Sequence, residues 1–357
     1  MKAPEKILIV RTDRLGDVIL STPVIKNLRL SFPKSWIAFM CRPYTKDVLM
    51  GNPYLDEVIV YDKYGTHKRF IASMKFAFAL KKKKFDWAVI LHPTNRVHLI
   101  TFFAGIPLRV GWNRQLGFLL TKKLVHNKQQ GLKHEMEYSL DILKALKVPI
   151  SDVSLYFPVN QENERFLEVL LKEKGIESKD ALIVLHPSAS CVSKRWPLTH
   201  FSHLITLLKE EFHPKIAVIT SDSEKQLSDA LFTEHPDLID LRGAVDISSL
   251  ASLLVRTTLF ISNDSGPVHI AASVHTPVIS IFGRNDPGLS PRRWGPLGKN
   301  CFYVHKDIGC LRCLAHNCEK NFLCLWKITP EEVFSIAKDI MQEQIEKNHR
   351  GNHSRFS

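Results

Sequence analysis

Between Leu259 and Gly283 an acid, a hydroxyl, a glycine and a histidine gather at one turn, Asn263-Asp264-Ser265-Gly266-Pro267-Val268-His269. An apolar run that reads as a strand precedes the turn, and a helix and a second strand follow it. Pro267 has no N–H and a fixed φ, which suits the first helical position. The amides of Ser265 and Gly266 are then left unpaired at the positive end of the helix, where a diphosphate would satisfy them. The same residues also suit an ordinary capped βα turn, since Asn, Asp and Ser cap helices.

Three other loops carry comparable chemistry. Arg11-Thr12-Asp13-Arg14-Leu15-Gly16-Asp17 leaves the first apolar run and puts the Asp17 carboxylate where doubly wound sheets bind ligands. Ser21-Thr22-Pro23 is the better helix start, which would leave Asp17 free in a cleft; the alternative is that Asp17 caps a helix. His186-Pro187-Ser188-Ala189-Ser190 runs on to Lys194-Arg195-Trp196-Pro197. There Ser188 and Ser190 could donate to a phosphate while Lys194 or Arg195 neutralises a leaving diphosphate. A solvent-exposed basic loop anchored by Trp196 is the competing reading. Asp222, Ser223 and Glu224 end a strand with groups that could grip ribose hydroxyls or cap a helix. Asp286, Arg292 and Arg293 lie where a loop could fold over a cleft. No G-x-G-x-x-G run occurs, which argues against a nicotinamide or flavin dehydrogenase.

The elements that must position these loops alternate short apolar strands with amphipathic helices in two halves, which predicts an α/β fold of two doubly wound domains. A chain of 357 residues with 45% hydrophobic content can bury two cores of ordinary size. The first domain is expected over 1–160, with strands at 6–11, 36–41, 57–61, 87–91 and 108–111 and helices at 22–30, 67–83 and 134–146. The second is expected over 161–330, with strands at 181–186, 215–220, 238–240, 259–263 and 278–282. Its helices are placed at 161–174, 198–212, 223–234 and 247–255. Thr329-Pro330-Glu331-Glu332 signals a last helix over 331–347, and the polar residues 348–357 read as a frayed tail.

Forty-nine Lys and Arg against 36 Asp and Glu give a net charge of +13, the mark of a molecule that works near something anionic. Charge alone does not choose among a phosphorylated donor, a lipid surface and nucleic acid, but no nucleic-acid-binding motif is present. The stretch 67–84 combines Phe70, Met74 and Phe78 with Lys68, Arg69, Lys75 and Lys81 to Lys84. It could lie on an anionic membrane, although core packing of the apolar residues beneath a solvated lysine run is the expected arrangement. Cys310, Cys313, Cys318 and Cys324 crowd together; a zinc tetrathiolate is conceivable, but a reduced structural or redox-labile loop is the preferred reading. No apolar run is long enough to serve as a signal peptide or to span a bilayer, so a cytoplasmic protein is expected.

Taken together, Arg11 to Pro23, Lys194-Arg195-Trp196-Pro197, the turn at Asn263 to His269 and Phe282-Gly283-Arg284-Asn285-Asp286-Pro287-Gly288 resemble glycosyltransferase family nine, the ADP-heptose:lipopolysaccharide heptosyltransferases. The resemblance implies a GT-B fold, two Rossmann-like domains facing a central cleft, and transfer of heptose with inversion. It casts Asp17 as catalytic base, Lys194 as the diphosphate cation, Ser265 and Gly266 as backbone donors to that diphosphate and His269 as a donor-site residue, beside the Ser188 and Ser190 hydroxyls read from their loop. Asp264 and Glu224 fall in the donor site, with Asp222 or Ser223 as alternatives to Glu224, while Arg14, Asp286 and Arg292 are candidates for the acceptor or a lid. It further implies no cofactor beyond the ADP-heptose substrate. The implied partner is a lipid-linked anionic oligosaccharide at the inner face of the cytoplasmic membrane, and not nucleic acid. The rival expectations are a transferase or epimerase of the same fold with another sugar nucleotide, and a non-enzymatic nucleotide- or nucleic-acid-binding protein.

Overall fold

The computed structural model describes residues 3–310, 313 and 315–353. The chain divides between Pro158 and Val159 into two compact units. Each is built on a parallel six-stranded sheet whose inner strands are covered on both faces, so they read as continuous apolar runs; Ile7, Leu8, Ile9 and Val10 are fully buried.

The first unit contains β1 (Lys6–Val10), α1 (Leu15–Ile19), α2 (Thr22–Ser31), β2 (Trp36–Cys41), β3 (Glu57–Val60) and α3 (Phe70–Lys81). It continues with β4 (Trp87–Ile90), α4 (Asn95–Phe103), β5 (Leu108–Asn113), β6 (Lys122–Val125) and α5 (Glu135–Ala145). The strand order is β3-β2-β1-β4-β5-β6, so the order reverses between β1 and β4. Ligands of doubly wound sheets bind at such a reversal, beyond the carboxyl ends of the strands. Residues 11–17 leave β1 there and His92 leaves β4.

The second unit contains α6 (Gln161–Glu173), β7 (Leu182–His186), α7 (Leu198–Phe212), β8 (Lys215–Val218), α8 (Asp229–Glu234), β9 (Ile239–Asp240) and α9 (Ile247–Val255). Then come β10 (Leu259–Asn263), α10 (Gly266–Ser273), β11 (Val278–Phe282), α11 (Pro291–Trp294), β12 (Cys301–His305), α12 (Leu323–Trp326) and α13 (Pro330–His353). Its order, β12-β11-β10-β7-β8-β9, repeats the first sheet, with the reversal between β7 and β10. Leu204, Leu208, Val333 and Ala337 from α7 and α13 join the strands in one core.

Several expectations change. α4, β6 and β12 were not anticipated: β6 and β12 are edge strands, β6 with only two apolar residues and β12 with Phe302 and Tyr303 exposed, and α4 turns Phe102 and Phe103 outward while burying His98. The helix expected over 223–234 is a 3-10 stretch, Asp222–Ser228, followed by α8. The helix expected over 67–83 is confined to Phe70–Lys81, since Asp62 folds the preceding residues into a turn by accepting the amides of Gly65 and Thr66. Its core face is small, Ser73, Ala77 and Leu80, while Phe70 and Phe78 are exposed rather than packed inward. The backbone of α13 is helical as far as His353, past the expected start of a tail, and residues 354–357 lie outside the described residues.

Candidate active site

Asp17 does not lie in an open loop. It sits in the first turn of α1, and Ser21 Oγ donates to its carbonyl as the chain passes into α2. Its carboxylate is buried against Arg11, whose Nη2 donates to Asp17 Oδ1 at 2.5 Å and to Glu135 Oε1 at 3.0 Å. Arg11 Nε reaches Asp13 at 3.0 Å, Nη1 reaches Ser139 at 3.2 Å, and Lys128 closes the group on Glu135 at 2.7 Å. Three carboxylates thus share two buried cations.

Burial, together with this crowding of acids, sets the chemistry of Asp17. Burial disfavours its charge most, Asp13 repels it next, and Arg11 only partly offsets them, so its carboxyl is pushed up to about 6. A carboxylate in that position is a far better proton acceptor than an exposed one yet is still largely ionised at neutral pH. Burial works against the charge of Arg11, but Asp13, Asp17 and Glu135 outweigh it and hold the guanidinium charged. His92 stands beside them with Nδ1 3.8 Å from Asp13 Oδ2, beyond hydrogen-bond distance and without a hydrogen-bond partner among the described residues. Burial and the Arg11 charge lower it to about 3, so it stays neutral and offers a hydrogen bond rather than a charge.

The reversal in the second sheet is wired differently. His186, at the end of β7, is fixed from both ring nitrogens: Ser188 Oγ lies 3.0 Å from Nε2, while Ser262 and Ser265 Oγ lie 3.1 and 3.2 Å from Nδ1. Ser188 donates to Glu224 Oε2 at 3.1 Å, and Ser221 does so at 2.9 Å. Because a carboxylate can only accept, Ser188 must spend its proton there and accept from His186 Nε2, leaving Nδ1 to accept from a serine hydroxyl. The chain of hydroxyls and imidazole therefore runs in one direction, towards Glu224. Burial lowers His186 to about 4, consistent with a neutral relay.

Two further contacts hold the loops after β7 and β10. Lys194 pairs with Asp264 Oδ2 at 2.6 Å and donates to the Asp264 carbonyl at 3.2 Å. Asn263 accepts the Trp196 amide at 2.9 Å and donates to the Pro187 carbonyl at 2.7 Å, stitching the β7 and β10 loops together. Ser265 caps α10 through its backbone conformation alone, its side chain being turned to His186 and Ser262. Gly266 and Pro267 then open the helix. His269 is buried in that first turn.

Sequence reasoning gave no role to Arg11, His92, Lys128, Glu135, His186 or Arg284. Arg284 is buried in a left-handed conformation and donates to Ser193 Oγ at 3.1 Å and Cys191 Sγ at 2.7 Å. Gly283 permits this packing, since a Cβ there would lie 2.7 Å from the Ser193 carbonyl oxygen. Only the F-G-R run hinted at that device. Among the other candidates, Ser188 is fully buried as a link rather than a surface donor, Ser190 is exposed, and Asp286 accepts the Gly288 amide of its own turn at 2.8 Å. Arg14 and Arg292 are exposed. Of the cysteines, Cys318 accepts the Phe322 amide at 3.4 Å and burial raises the Cys324 thiol. No group of three or more His, Cys, Asp or Glu side chains among the described residues is placed to hold a metal ion.

Comparison with known proteins agrees with this layout. Over 295 residues the chain is 24% identical to lipopolysaccharide heptosyltransferase 2 of Escherichia coli K12, covering 80% of this chain and 85% of that one. It is 25% identical to lipooligosaccharide heptosyltransferase 2 of Haemophilus ducreyi, covering 94% and 99%. The crystal structure of a family 9 glycosyl transferase from Veillonella parvula superposes with a TM-score of 0.83 at 23% identity, covering 95% of this chain and 98% of that one. The Escherichia coli ADP-heptose lps heptosyltransferase II does so with 0.77 at 20% identity, covering 95% and 99%. These likenesses give the fold as GT-B, two Rossmann-like halves of parallel sheet. With residues 73–323 matching the family described as glycosyltransferase family 9 (heptosyltransferase), the chain belongs to that family of enzymes.

Proposed function

We propose that this enzyme moves a heptose from ADP-heptose to a lipopolysaccharide core acceptor with inversion at the anomeric carbon. The observation that carries the reading is Asp17: a buried carboxylate at a sheet reversal, raised to about 6 and fixed in direction by Arg11. In this reading the acceptor hydroxyl oxygen attacks the anomeric carbon and passes its proton to Asp17. The bond from that carbon to the diphosphate oxygen breaks, and ADP departs with the electron pair. Negative charge grows on the leaving diphosphate, so donors already aimed at it favour the transition state over the ground state. Lys194 and the amides of Ser265 and Gly266 supply them.

Asp264 holds Lys194 in place beforehand, so little is lost in ordering that side chain when the diphosphate arrives. Glu224 uses Oε2 for Ser188 and Ser221, which leaves Oε1 for a ribose hydroxyl. His92 supplies a neutral hydrogen bond to the acceptor sugar beside Asp17. Ser190, Asp286, Arg14 and Arg292 are assigned to the outer contacts of donor and acceptor. A lipid-linked, phosphate-bearing acceptor places the enzyme at the inner face of the cytoplasmic membrane, and no helix among the described residues is long and apolar enough to cross it.

The test is transfer measured over a matrix of sugar nucleotides and core acceptors. Turnover is expected with ADP-heptose, and Asp17→Asn is expected to lose about 10²- to 10⁴-fold in kcat while still binding the donor. Undiminished turnover in Asp17→Asn would remove the base, and preference for another sugar nucleotide would remove the heptose donor.

A further inference from the structure

We propose that the exposed face of α3 and α4 is a docking surface for an anionic lipid bilayer, with Phe70, Ile71 and Phe78 entering the headgroup region and neighbouring lysines holding lipid phosphates. The proposal rests on the reading that the acceptor is lipid-linked, and it names the surface that brings the enzyme to it.

Phe70 is 62% exposed, Ile71 70% and Phe78 55%, while on α4 Phe102 is 43% and Phe103 39% exposed. Scattered single apolar residues are ordinary on a surface, whereas a contiguous group points to something that covers it. Residues 70, 74 and 78 recur at four-residue spacing and Ile71 stands beside them, so they form one stripe flanking the buried Ser73, Ala77 and Leu80. α4 packs beside α3. The stem of Lys81 lies 3.7 Å from the position a Cβ on Gly105 would take, which brings the carboxyl ends of the two helices together. There the rings of Phe102 and Phe103 pack edge to face at 5.5 Å.

Charge identifies the occupant. Residues 63–134 hold fifteen Lys and Arg and a single acid, Asp86, and that carboxylate is occupied by the amides of Glu5 and Lys6 at 2.7 and 2.8 Å. Since the whole chain carries +13, everything outside this stretch is together close to neutral. Lys75 and Lys82 border the apolar stripe, and Lys68, Arg69, Lys81 and Lys84 are exposed around it; Lys83 is instead tied to Glu57 at 2.6 Å. Aromatic residues within a basic rim suit the interface of an anionic bilayer, where apolar side chains sink to the acyl boundary and each nearby cation adds attraction. A second copy is a poor occupant, because two-fold pairing of this face would set lysines against lysines.

The test is flotation of the full chain with vesicles containing roughly one-third phosphatidylglycerol, against vesicles of phosphatidylcholine alone. Binding to the anionic vesicles is expected, weakening as salt rises. Phe70→Ser/Ile71→Ser/Phe78→Ser is expected to lower that binding by about a hundredfold, and Lys75→Ala/Lys82→Ala/Lys84→Ala by about fivefold per lysine. Both variants alter exposed side chains, so melting temperature should be unchanged. Transfer to an acyl-free oligosaccharide should persist while transfer to vesicle-embedded acceptor falls. Undiminished vesicle binding by the apolar variant overturns the proposal. So does a wild-type dimer that ignores vesicles and dissociates in that variant. Vesicle binding that behaves as expected in a protein without heptosyl transfer leaves the docking surface standing and refutes the functional reading instead.

Discussion

The two sheets share one strand order and one point of reversal, yet their carboxyl edges hold opposite kinds of polar cluster. At the first edge the groups are ionic and centred on buried cations: Asp13, Asp17 and Glu135 around Arg11 and Lys128. At the second a neutral histidine and three serines lead to one carboxylate, with a single matched pair, Lys194 and Asp264, beside them. Each edge carries one more carboxylate than cations, but at the first the carboxylates crowd around buried cations and burial raises Asp17, whereas at the second Glu224 is half-exposed and held by serine hydroxyls. Topology fixes where a ligand can sit, and the burial of the charged groups decides what can happen there.

The largest expected effect separates the two edges directly. Asp17→Asn should abolish nearly all turnover, by about 10²- to 10⁴-fold, with donor affinity intact. Lys194→Met should cost about 10²- to 10³-fold in kcat and also raise the donor KM, because Asp264 is left as an unpaired negative charge facing a diphosphate. Adding Asp264→Asn should recover donor KM but not kcat. Recovery of both would mean that Lys194 serves only to neutralise its partner.

A pH profile sharpens the contrast. With Asp17 as the proposed base, kcat should fall as pH drops through about 6, where its carboxyl takes up a proton. Asp13→Asn removes a repelling charge and makes Asp17 easier to ionise, which should move the acid limb to lower pH. A limb that stays in place would assign it to another group. Smaller again, His92→Phe should raise the acceptor KM several-fold and leave the donor KM alone.

The smallest effect concerns stability at the second edge. The unfolded chain protonates its histidines near the ordinary value of about 6.5, whereas folded His186 resists protonation until about 4. The unfolded state then binds more protons, so stability is full above that window and declines as pH falls through it. Melting temperature followed from pH 7 downwards should decline less steeply in His186→Gln than in the parent, and equal slopes would show that the imidazole is not what resists the proton.

Much of this was legible in the sequence because it is local. The inner strands announce themselves as apolar runs, and the N-D-S-G-P turn marks a helix opening, since the requirement for Pro and Gly arises within a few residues. Asp17 was singled out from its distance behind the first strand, but its helix was not, because α1 is a single turn too short to show periodicity. α3 misled for a related reason: Phe70, Met74 and Phe78 are correctly spaced for a core face, but spacing does not say on which side the core lies.

Sequence alone determined the α/β class, the motifs of the family and the candidate acid, hydroxyls and cation on the loops after the strands, all of which depend on neighbours within a turn or a strand. Only the tertiary structure decided that Glu135, more than a hundred residues away, shares Arg11 with Asp17, and that Ser188, His186 and Glu224 form one directed chain. The reason is physical: burial and charge pairing act through space, and a side chain's proton affinity is set by whatever the fold brings within a few ångströms of it.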